Sequence, residues 1–332
     1  MTTTRTLGRS GVTVSALGMG CWAIGGPFSA GGRAAGWGEV DDAESTRAIR
    51  RALELGVTFF DTSDAYGTGH SERVLGQALG NRRDQAVIAT KWGNTYDEAT
   101  RELTGADGSP DYLRDAVEKS LRRLATDRID LYQLHLGDLP IGAAEDLLGT
   151  LEELVDAGKI RNYGWSTDDA DRARAWAENG EHCTAMQHSL SVLQSSAPVL
   201  EVCERYDLAS VNRGPLAMGL LTGKFSAGST IGPDDVRGAG PEWLTLFRDG
   251  RPAPDFLERV TAIRDVLTSG GRTPAQGALA WIWGRSEQTV PIPGCRNVAQ
   301  VEENAGAMAF GPLTGAEMAQ IETQLSDSRT SA

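Results

Sequence analysis

The stretch GVTFFDTSDAYG, residues 56–67, places an acid and a tyrosine five residues apart, just after a short apolar run. The run VTFF predicts a buried strand, so Asp61 falls where the strand ends and Tyr66 lies in the loop beyond it. A tyrosine is a poor proton donor at its reference pKa of roughly 10 and needs a nearby positive charge to ionise more readily. The stretch therefore predicts a strand that presents reactive side chains at one end.

Two later apolar runs repeat this arrangement. The run AVIAT at 86–90 ends on Lys91, and the run IDLYQL at 129–134 ends on His135. Taken singly, an aspartate at a strand end often caps the backbone, a lone lysine is usually exposed, and a histidine is often only a satisfied polar group. Polar residues at the ends of successive apolar runs together favour a functional site over a solvated surface.

Strand-like and helix-like stretches alternate along the chain. The eight candidate strands lie at 16–20, 57–60, 86–90, 129–134, 160–164, 183–187, 207–212 and 288–292. The helix-like stretches lie at 41–56, 70–79, 111–124, 143–157, 169–178, 197–205, 254–268 and 298–308. Eight βα units favour a closed (β/α)8 TIM barrel of the α/β class over an open doubly wound sheet. No GxGxxG motif follows the first strand, which argues against a Rossmann fold.

Other segments lie outside this alternation. Residues 3–8 and 11–15 predict an N-terminal β-hairpin, and residues 313–332 form a C-terminal tail with a helix-like part at 315–325. Three long segments at 23–40, 94–110 and 223–253 follow strands, so in a barrel they rise from the face where active sites are built. They are candidate pocket walls or lids, with disordered decoration as the alternative. No linker divides the chain, which predicts one domain over residues 1–332.

The composition excludes several classes of partner. A net charge of −13 on 332 residues argues against nucleic acid but leaves room for an anionic cofactor held by a few local cations. The four cysteines have no metal-ligand spacing, which predicts buried thiols and no metal site. We find no signal-like segment and no long apolar run, and therefore expect a soluble cytoplasmic protein that does not bind membranes.

In a barrel, the ends of the second, third and fourth strands are neighbours. Asp61 and Lys91 would then form a buried ion pair, and the ammonium group would lower the cost of ionising Tyr66. Tyr66 becomes a credible general acid toward a carbonyl oxygen. His135 would donate a hydrogen bond to the same oxygen.

These residues lie in segments that resemble the aldo-keto reductases. The segments are GMGCW at 18–22, FDTSDAYG at 60–67, IATK at 88–91 and DLYQLH at 130–135. The resemblance covers nearly the whole chain, and the family's tetrad carries over to Asp61, Tyr66, Lys91 and His135. It implies an NADPH-dependent, reversible reduction of an aldehyde or ketone to an alcohol, with hydride from nicotinamide C4 and the proton from Tyr66.

The resemblance also implies where the cofactor binds. Ser166 and Gln187 correspond to the carboxamide site, residues 214–224 to the pyrophosphate loop, and residues 291–304 to the adenosine end. The candidate cofactor-binding residues are Gly20, Cys21, Trp22, Asp61, Ser166, Thr167, Gln187, Arg213, Gly214, Pro215, Leu216, Lys224, Gly294, Arg296, Gln300, Glu303 and Asn304.

Three positions depart from the family pattern. Thr167 stands where Asn is common, and Arg213 stands where an aromatic residue often stacks on the nicotinamide. Gln300 stands where many members carry an arginine for the 2′-phosphate, which leaves Arg296 as the candidate for that charge. Family precedent favours NADP(H) over NAD(H).

The expected substrate walls are Trp22, Tyr66, Trp92 and His135, with Trp37 as a further candidate. Two other functions stay open from the residues. One is a barrel lyase that uses Lys91 as a Schiff base, although pairing with Asp61 would keep this lysine charged. The other is a cofactor-binding regulatory subunit of the same fold, against which the presence of His135 argues.

Overall fold

The computed structural model describes residues 4–330, and side chains as far as residue 326. In chain order, the strands are β1 Thr4–Thr6, β2 Thr13–Ser15, β3 Gly18–Gly20, β4 Ser29–Ala30, β5 Arg33–Ala34, β6 Phe59–Asp61, β7 Val87–Trp92, β8 Asn94–Asp97, β9 Glu102–Ala106, β10 Ile129–Leu134, β11 Ile160–Ser166, β12 Cys183–Ser189, β13 Ala209–Arg213, β14 Phe247–Arg248, β15 Arg251–Pro252 and β16 Thr289–Pro291. The helices are α1 Asp42–Glu54, α2 His70–Leu79, α3 Pro110–Leu124, α4 Ile141–Glu145, α5 Leu148–Asp156, α6 Ala170–Asn179, α7 Ala197–Arg205, α8 Val236–Ala239, α9 Pro254–Leu267, α10 Pro274–Trp283, α11 Val298–Gly306 and α12 Gly315–Thr330.

Eight parallel strands form the central sheet, in the order β16-β13-β12-β11-β10-β7-β6-β3. An isolated parallel bridge between Gly20 and Gly294 joins its two edges, and the Gly20 amide donates to Pro293 O at 3.0 Å. A Cβ on Gly20 would lie 2.7 Å from Ile292 O, so a glycine is needed where the two edges meet. The predicted (β/α)8 barrel is confirmed.

The barrel encloses an inner core that is separate from the core between strands and helices. Phe59, Ala89 and Leu131 pack inside it, and Leu7 and Val14 from the N-terminal segment join them. Successive side chains of a strand point to opposite faces, so residues two positions further along each strand also point inward. This alternation sends Asp61, Lys91 and Gln133 into the mouth of the barrel at the carboxyl ends of the strands.

The N-terminal hairpin is present, because β1 and β2 pair antiparallel from Thr4 opposite Ser15 to Thr6 opposite Thr13. Residue 3, where the prediction began, lies outside the described residues. The C-terminal tail contains α12, which packs on α9. No helix within residues 4–330 combines the length and apolar character that crossing a bilayer requires.

The sequence does not predict the short helix α8, and its prediction was wrong at two longer helices. The helix predicted at 143–157 is divided into α4 and α5. Near the end of α4, the Ala144 carbonyl accepts a hydrogen bond from Trp176 Nε1 at 3.2 Å. The helix α10 was missed. Eight of its ten residues are buried, so its sequence lacks the polar face that makes a helix recognisable, although Thr273 and Gln276 form a capping box at its start.

The three long segments are ordered and stand above the barrel mouth. Strands β4 and β5 of the first segment and β8 and β9 of the second form one four-stranded sheet. The third carries α8 and the β14–β15 hairpin. It is joined to the first by a bridge between Trp37 and Asp235 and by a hydrogen bond from Val236 N to Gly36 O at 2.8 Å. The alternative of disordered decoration is therefore wrong.

Candidate active site

A buried ion pair lies at the centre of the barrel mouth. Lys91 Nζ is 2.5 Å from Asp61 Oδ1, and the two side chains are 0% and 3% exposed. Lys91 also donates to the Thr62 carbonyl at 2.8 Å. The second carboxylate oxygen of Asp61 accepts from the amide nitrogens of Gln133 at 3.1 Å and Gln187 at 2.7 Å. Both charges are thus fully partnered, which a buried ion pair requires.

Tyr66 lies against this pair, with its hydroxyl 3.2 Å from Lys91 Nζ. The pKa of Lys91 is raised, because attraction to Asp61 and Tyr66 together outweighs the burial that would lower it. The pKa of Tyr66 is also raised, since burial exceeds the opposing effect of Lys91. The predicted help from Lys91 is therefore present, but burial outweighs it. The Tyr66 hydroxyl stays protonated at neutral pH.

His135 faces Tyr66 across the cavity, with the two rings perpendicular and their centroids 5.9 Å apart. Its Nδ1 lies 3.1 Å from Ser63 Oγ. Burial lowers the pKa of His135 well below its usual value, and the positive charges of Lys91 and Arg213 lower it further. The ring is therefore neutral at physiological pH and carries one proton on one of its two nitrogens.

These residues border a cavity of about 1250 Å³ that runs from the tetrad to α11. Small-molecule sites usually occupy roughly 300–1,000 Å³, so this cavity has room for a large ligand together with a smaller one. Fifteen of the candidate cofactor-binding residues line it: Gly20, Trp22, Asp61, Ser166, Gln187, Arg213, Gly214, Pro215, Leu216, Lys224, Gly294, Arg296, Gln300, Glu303 and Asn304.

The end of this set nearest the tetrad, where the sequence predicts the carboxamide site, combines fixed and free polar atoms. Gln187 commits its amide nitrogen to Asp61 and to Gln133 Oε1, so its carbonyl oxygen is the atom left to meet a ligand. Ser166 lies beside it on the neighbouring strand. Arg213 is held by an ion pair with Asp168, which in turn accepts from Ser189 N and Ser196 Oγ at 2.7 Å each.

The far end of the cavity, which we call the adenosine end because the sequence predicts the adenosine there, is built from α11 and the segment before α1. The Arg296 guanidinium donates to Trp37 O at 3.1 Å and to the Glu39 carbonyl, and the Arg296 backbone amide donates to Gln300 Oε1 at 2.8 Å. Asn304 donates to Cys295 Sγ at 3.2 Å. This end also carries carboxylates, since Glu39, Asp41, Glu44 and Glu303 line the cavity.

Lys224 also lines the cavity and forms no ion pair with the side chains described through residue 326. Burial and the nearby Arg237 lower its pKa, with Asp235 acting in the opposite direction. Its ammonium lies 5.1 Å from the centre of the Phe225 ring. An exposed ammonium group on the cavity wall without a carboxylate partner is suited to an anionic ligand.

Four residues assigned to the site from sequence do not border the cavity: Lys91, which lies behind the Tyr66 hydroxyl, and three others that do not contact the tetrad side chains. Trp92 is fully buried and stacks on Tyr132, with centroids 6.2 Å apart. The Thr167 hydroxyl donates to Gly137 O at 2.7 Å, and the Cys21 thiol points to Met19 O at 3.7 Å. Trp92 and Cys21 each come directly after a residue that faces the barrel mouth. Because successive side chains along a strand point to opposite faces, these two point outward into the core.

An aromatic wall surrounds the mouth of the cavity instead. Trp22 stacks on Tyr66 with centroids 6.0 Å apart, and it contacts Trp37 at 5.3 Å and Trp243 at 6.4 Å. Trp243 is 61% exposed, which is unusual for so large an apolar side chain. The sequence predicts Trp22 and Trp37 as wall residues but does not indicate Trp243.

The sequence analysis also missed Gln133, Asp168 and Arg237. Gln133 had a detectable signal, because it is the polar residue two positions before His135 on the inward face of β10. Arg237 is 8% exposed, pairs with Asp235 at 2.6 Å and covers the Trp37 ring at 4.5 Å. No local pattern indicates their place at the site, since Asp168 pairs with Arg213 and Arg237 covers Trp37, both far away in the chain.

The family model described as the Aldo/keto reductase family matches residues 16–325. The chain belongs to the aldo/keto reductase family. The aldo-keto reductase yakc, NADP(+), of Schizosaccharomyces pombe is 33% identical over 315 residues, which cover 92% of this chain and 86% of that protein. The chain is accordingly an oxidoreductase.

Solved structures of aldo-keto reductases have the same fold. The glycerol dehydrogenase from Gluconobacter oxydans is 28% identical with a TM-score of 0.81, over 98% of this chain and 96% of that one. An aldo/keto reductase from Klebsiella pneumoniae in complex with NADP and acetate is 26% identical with a TM-score of 0.70, over 97% and 95%. The oxidoreductase assignment thus rests on the whole barrel as well as on the signature segments.

Proposed function

We propose that this aldo/keto reductase reduces an aldehyde or ketone to an alcohol with NADP(H), reversibly, and that Tyr66 supplies the proton. The observation that carries the proposal is the contact of the Tyr66 hydroxyl with Lys91 Nζ at 3.2 Å, in a cavity that His135 also borders. A hydroxyl held between a cation and a second hydrogen-bonding ring is suited to bind and protonate a carbonyl oxygen.

In this proposal each tetrad residue has a separate task. Tyr66 donates the proton, and Lys91 stabilises the developing phenolate, because its charge is adjacent and its pKa is raised. Asp61 holds Lys91 in place and charged. His135 is neutral and orients the carbonyl oxygen by hydrogen bonding.

The cavity residues fit a nicotinamide dinucleotide, which would supply the hydride when bound. Ser166 and the free carbonyl oxygen of Gln187 suit the carboxamide group. Lys224, which has no ion-pair partner among the described side chains, suits the pyrophosphate. Arg296 is the cation placed for a 2′-phosphate at the far end, and the NADP named for the relatives supports this cofactor.

The substrate class follows from the aromatic wall of Trp22, Trp37 and Trp243. Flat indole surfaces close to the proton donor favour carbonyl compounds with an aryl or other bulky apolar group over small polyols. A panel of aryl, long-chain and hydroxylated aldehydes, followed at the nicotinamide absorbance, tests this preference. A higher kcat/KM for the hydroxylated compounds would contradict it.

The proton-donor assignment is tested with Tyr66→Phe. We expect a fall in kcat of at least about 100-fold, the range of a lost general acid, with unchanged NADPH affinity. Tyr206→Phe is the matched control, because Tyr206 bonds Glu178 on the exposed surface. Full turnover by Tyr66→Phe would remove Tyr66 from this role.

The Schiff-base alternative is tested by borohydride trapping with a carbonyl substrate and no cofactor. The raised pKa of Lys91 opposes it, since a Schiff base requires a neutral amine. A covalent adduct at Lys91 would favour a lyase. Tight NADPH binding without turnover of any carbonyl would instead favour the regulatory-subunit alternative.

A further inference from the structure

Ser63 connects His135 to a buried carboxyl group that the tetrad does not use. Its Oγ lies 3.1 Å from His135 Nδ1 and 3.2 Å from Asp64 Oδ1, and it accepts a hydrogen bond from Ala65 N at 3.1 Å. Asp64 is 1% exposed. Neither residue belongs to the ion pair of Asp61 and Lys91, and the side-chain contact that joins them to the tetrad is the one with His135.

The hydrogen-bonding capacity of Ser63 limits the series Asp64–Ser63–His135 to two arrangements of protons. A serine hydroxyl has one proton and two lone pairs, and the Ala65 amide occupies one lone pair. One proton and one lone pair remain for the two other neighbours. Ser63 therefore donates to one of Asp64 and His135 and accepts from the other.

The first arrangement requires an ionised Asp64. A buried carboxylate accepts only, so Ser63 donates to Asp64 and accepts from His135 Nδ1–H. The neutral ring then carries no proton on Nε2, which presents a lone pair to the cavity. In this form His135 is unable to donate a hydrogen bond to a carbonyl oxygen.

The second arrangement requires a protonated Asp64. Its carboxyl O–H donates to Ser63, Ser63 donates to His135 Nδ1, and the ring proton resides on Nε2. His135 is then a hydrogen-bond donor toward the cavity. The second arrangement holds one proton more than the first. Asp64, Ser63 and His135 together take up this proton from solvent or release it to solvent.

We propose that Asp64 acts through Ser63 as a positioning residue that decides which nitrogen of His135 carries the proton. This inference rests on the proposed carbonyl reduction, since the second arrangement supplies the donor which that reaction needs. Asp64 and Ser63 touch neither substrate nor cofactor in this role. Their effect on catalysis is confined to the donor or acceptor character of Nε2.

The surroundings of Asp64 favour its protonated form. Burial, together with the negative charge of Glu72, raises the pKa of Asp64 to about 8, although Arg123 opposes this. The groups that face Asp64 are Glu72 from α2, Arg123 from α3, Tyr96 from β8, Tyr112 from α3 and Tyr132 from β10. The groups that face His135 are Tyr66, Lys91 and Arg213. At neutral pH the second arrangement thus predominates.

The decisive experiment is ¹⁵N NMR of the protein labelled at its four histidines, with His135→Asn used to assign the His135 signals. We expect the Nε2–H tautomer of His135 at pH 7 and a change toward Nδ1–H by pH 9.5. Asp64→Asn, whose amide mimics the protonated carboxyl group, should hold Nε2–H at both pH values. This readout requires no turnover, so it stands even if no carbonyl substrate is found.

Ser63→Ala is the second variant, and its small change of volume keeps the fold. It removes the link, so the His135 signals should no longer depend on pH in this range. The other histidine signals should be unaffected in both variants and serve as internal controls. A wild-type tautomer that is unchanged from pH 7 to pH 9.5, or an unaltered pH response in Ser63→Ala, would overturn the proposal.

The pH dependence of kcat tests the same proposal independently of the NMR measurement. The wild-type kcat should be about tenfold lower at pH 9 than at pH 7, because one unit above a pKa of about 8 only about a tenth of Asp64 is protonated. Asp64→Asn should match the wild type within about twofold at pH 7 and keep its kcat at pH 9. The same alkaline fall in Asp64→Asn would contradict the assignment.

Discussion

The two ends of the cavity are built in different ways. At the catalytic end, Asp61 and Lys91 are buried, come from adjacent barrel strands and are hydrogen-bonded on all sides. At the adenosine end, Arg296 is held by carbonyl groups of Trp37 and Glu39, which belong to a long loop segment. The catalytic side chains are therefore fixed by the barrel itself, whereas the distant end of the cavity depends on added segments.

The largest expected effect is at the catalytic end, with Lys91→Met. Removing the ammonium leaves Asp61 buried and unpaired, which costs about 3–5 kcal/mol of the free energy of unfolding. The kcat should also fall by at least about 100-fold, because the proton donor loses its neighbouring charge. Denaturant unfolding and steady-state kinetics measure the two losses.

Lys119→Met is the control for this variant, since Lys119 forms an exposed pair with Asp115 at 2.6 Å. Exposed pairs contribute only about 0–1 kcal/mol, so its unfolding curve should nearly coincide with the wild type. Equal destabilisation by the two variants would show that the buried pair of Lys91 and Asp61 contributes no more to stability than an exposed pair.

The next effect is at the adenosine end, with Arg296→Ala. We expect KM for NADPH to rise by about tenfold or more, the value of one charge-assisted hydrogen bond, while KM for NADH changes by less than about twofold. The tetrad is untouched, so kcat with saturating NADPH should be retained. Arg285→Ala, at an exposed pair with Glu322, is the control. Equal losses with both cofactors would show that Arg296 does not read the 2′-phosphate.

A smaller effect concerns the pH dependence of stability. The pKa of Asp64 is raised to about 8 in the folded protein, so the folded state holds this proton more tightly than the unfolded chain does. The resulting stabilisation is full below the unfolded pKa near 4 and is lost as the pH rises toward 8. Asp64→Asn should therefore raise Tm relative to wild type by a few degrees at pH 8 and by less at pH 4. A Tm difference that is independent of pH would contradict the raised pKa.

The smallest effect is at the aromatic wall, with Trp243→Ala. Because this side chain is 61% exposed, the fold should be unchanged. KM for an aryl aldehyde should rise about fivefold, equivalent to about 1 kcal/mol of aromatic contact, with kcat unchanged. Trp243→Phe should restore most of the loss. A fall in kcat would instead connect this loop residue to the catalytic end.

Much of the catalytic end was predictable from the sequence, and the reason is the geometry of strands. Asp61, Lys91 and His135 each follow or end an apolar run, and parallel strands bring such ends together. Successive side chains of a strand point to opposite faces, so Trp92, one residue after Lys91, points away from the cavity. Its prediction as a cavity wall was wrong. The same rule predicts that Gln133, two residues before His135, also faces the barrel mouth, but it was not among the predicted site residues.

The sequence by itself determined the barrel, the hairpin and the strand ends on which the tetrad residues lie, because hydrophobic periodicity and spacing along the chain are local properties. Only the tertiary structure decided that Lys91 is fully enclosed, that Trp243 from a distant loop joins Trp22, and that Ser63 connects Asp64 with His135. These features depend on distances between residues far apart in the chain and on the exclusion of water. Burial then sets which groups are charged and which nitrogen holds a proton.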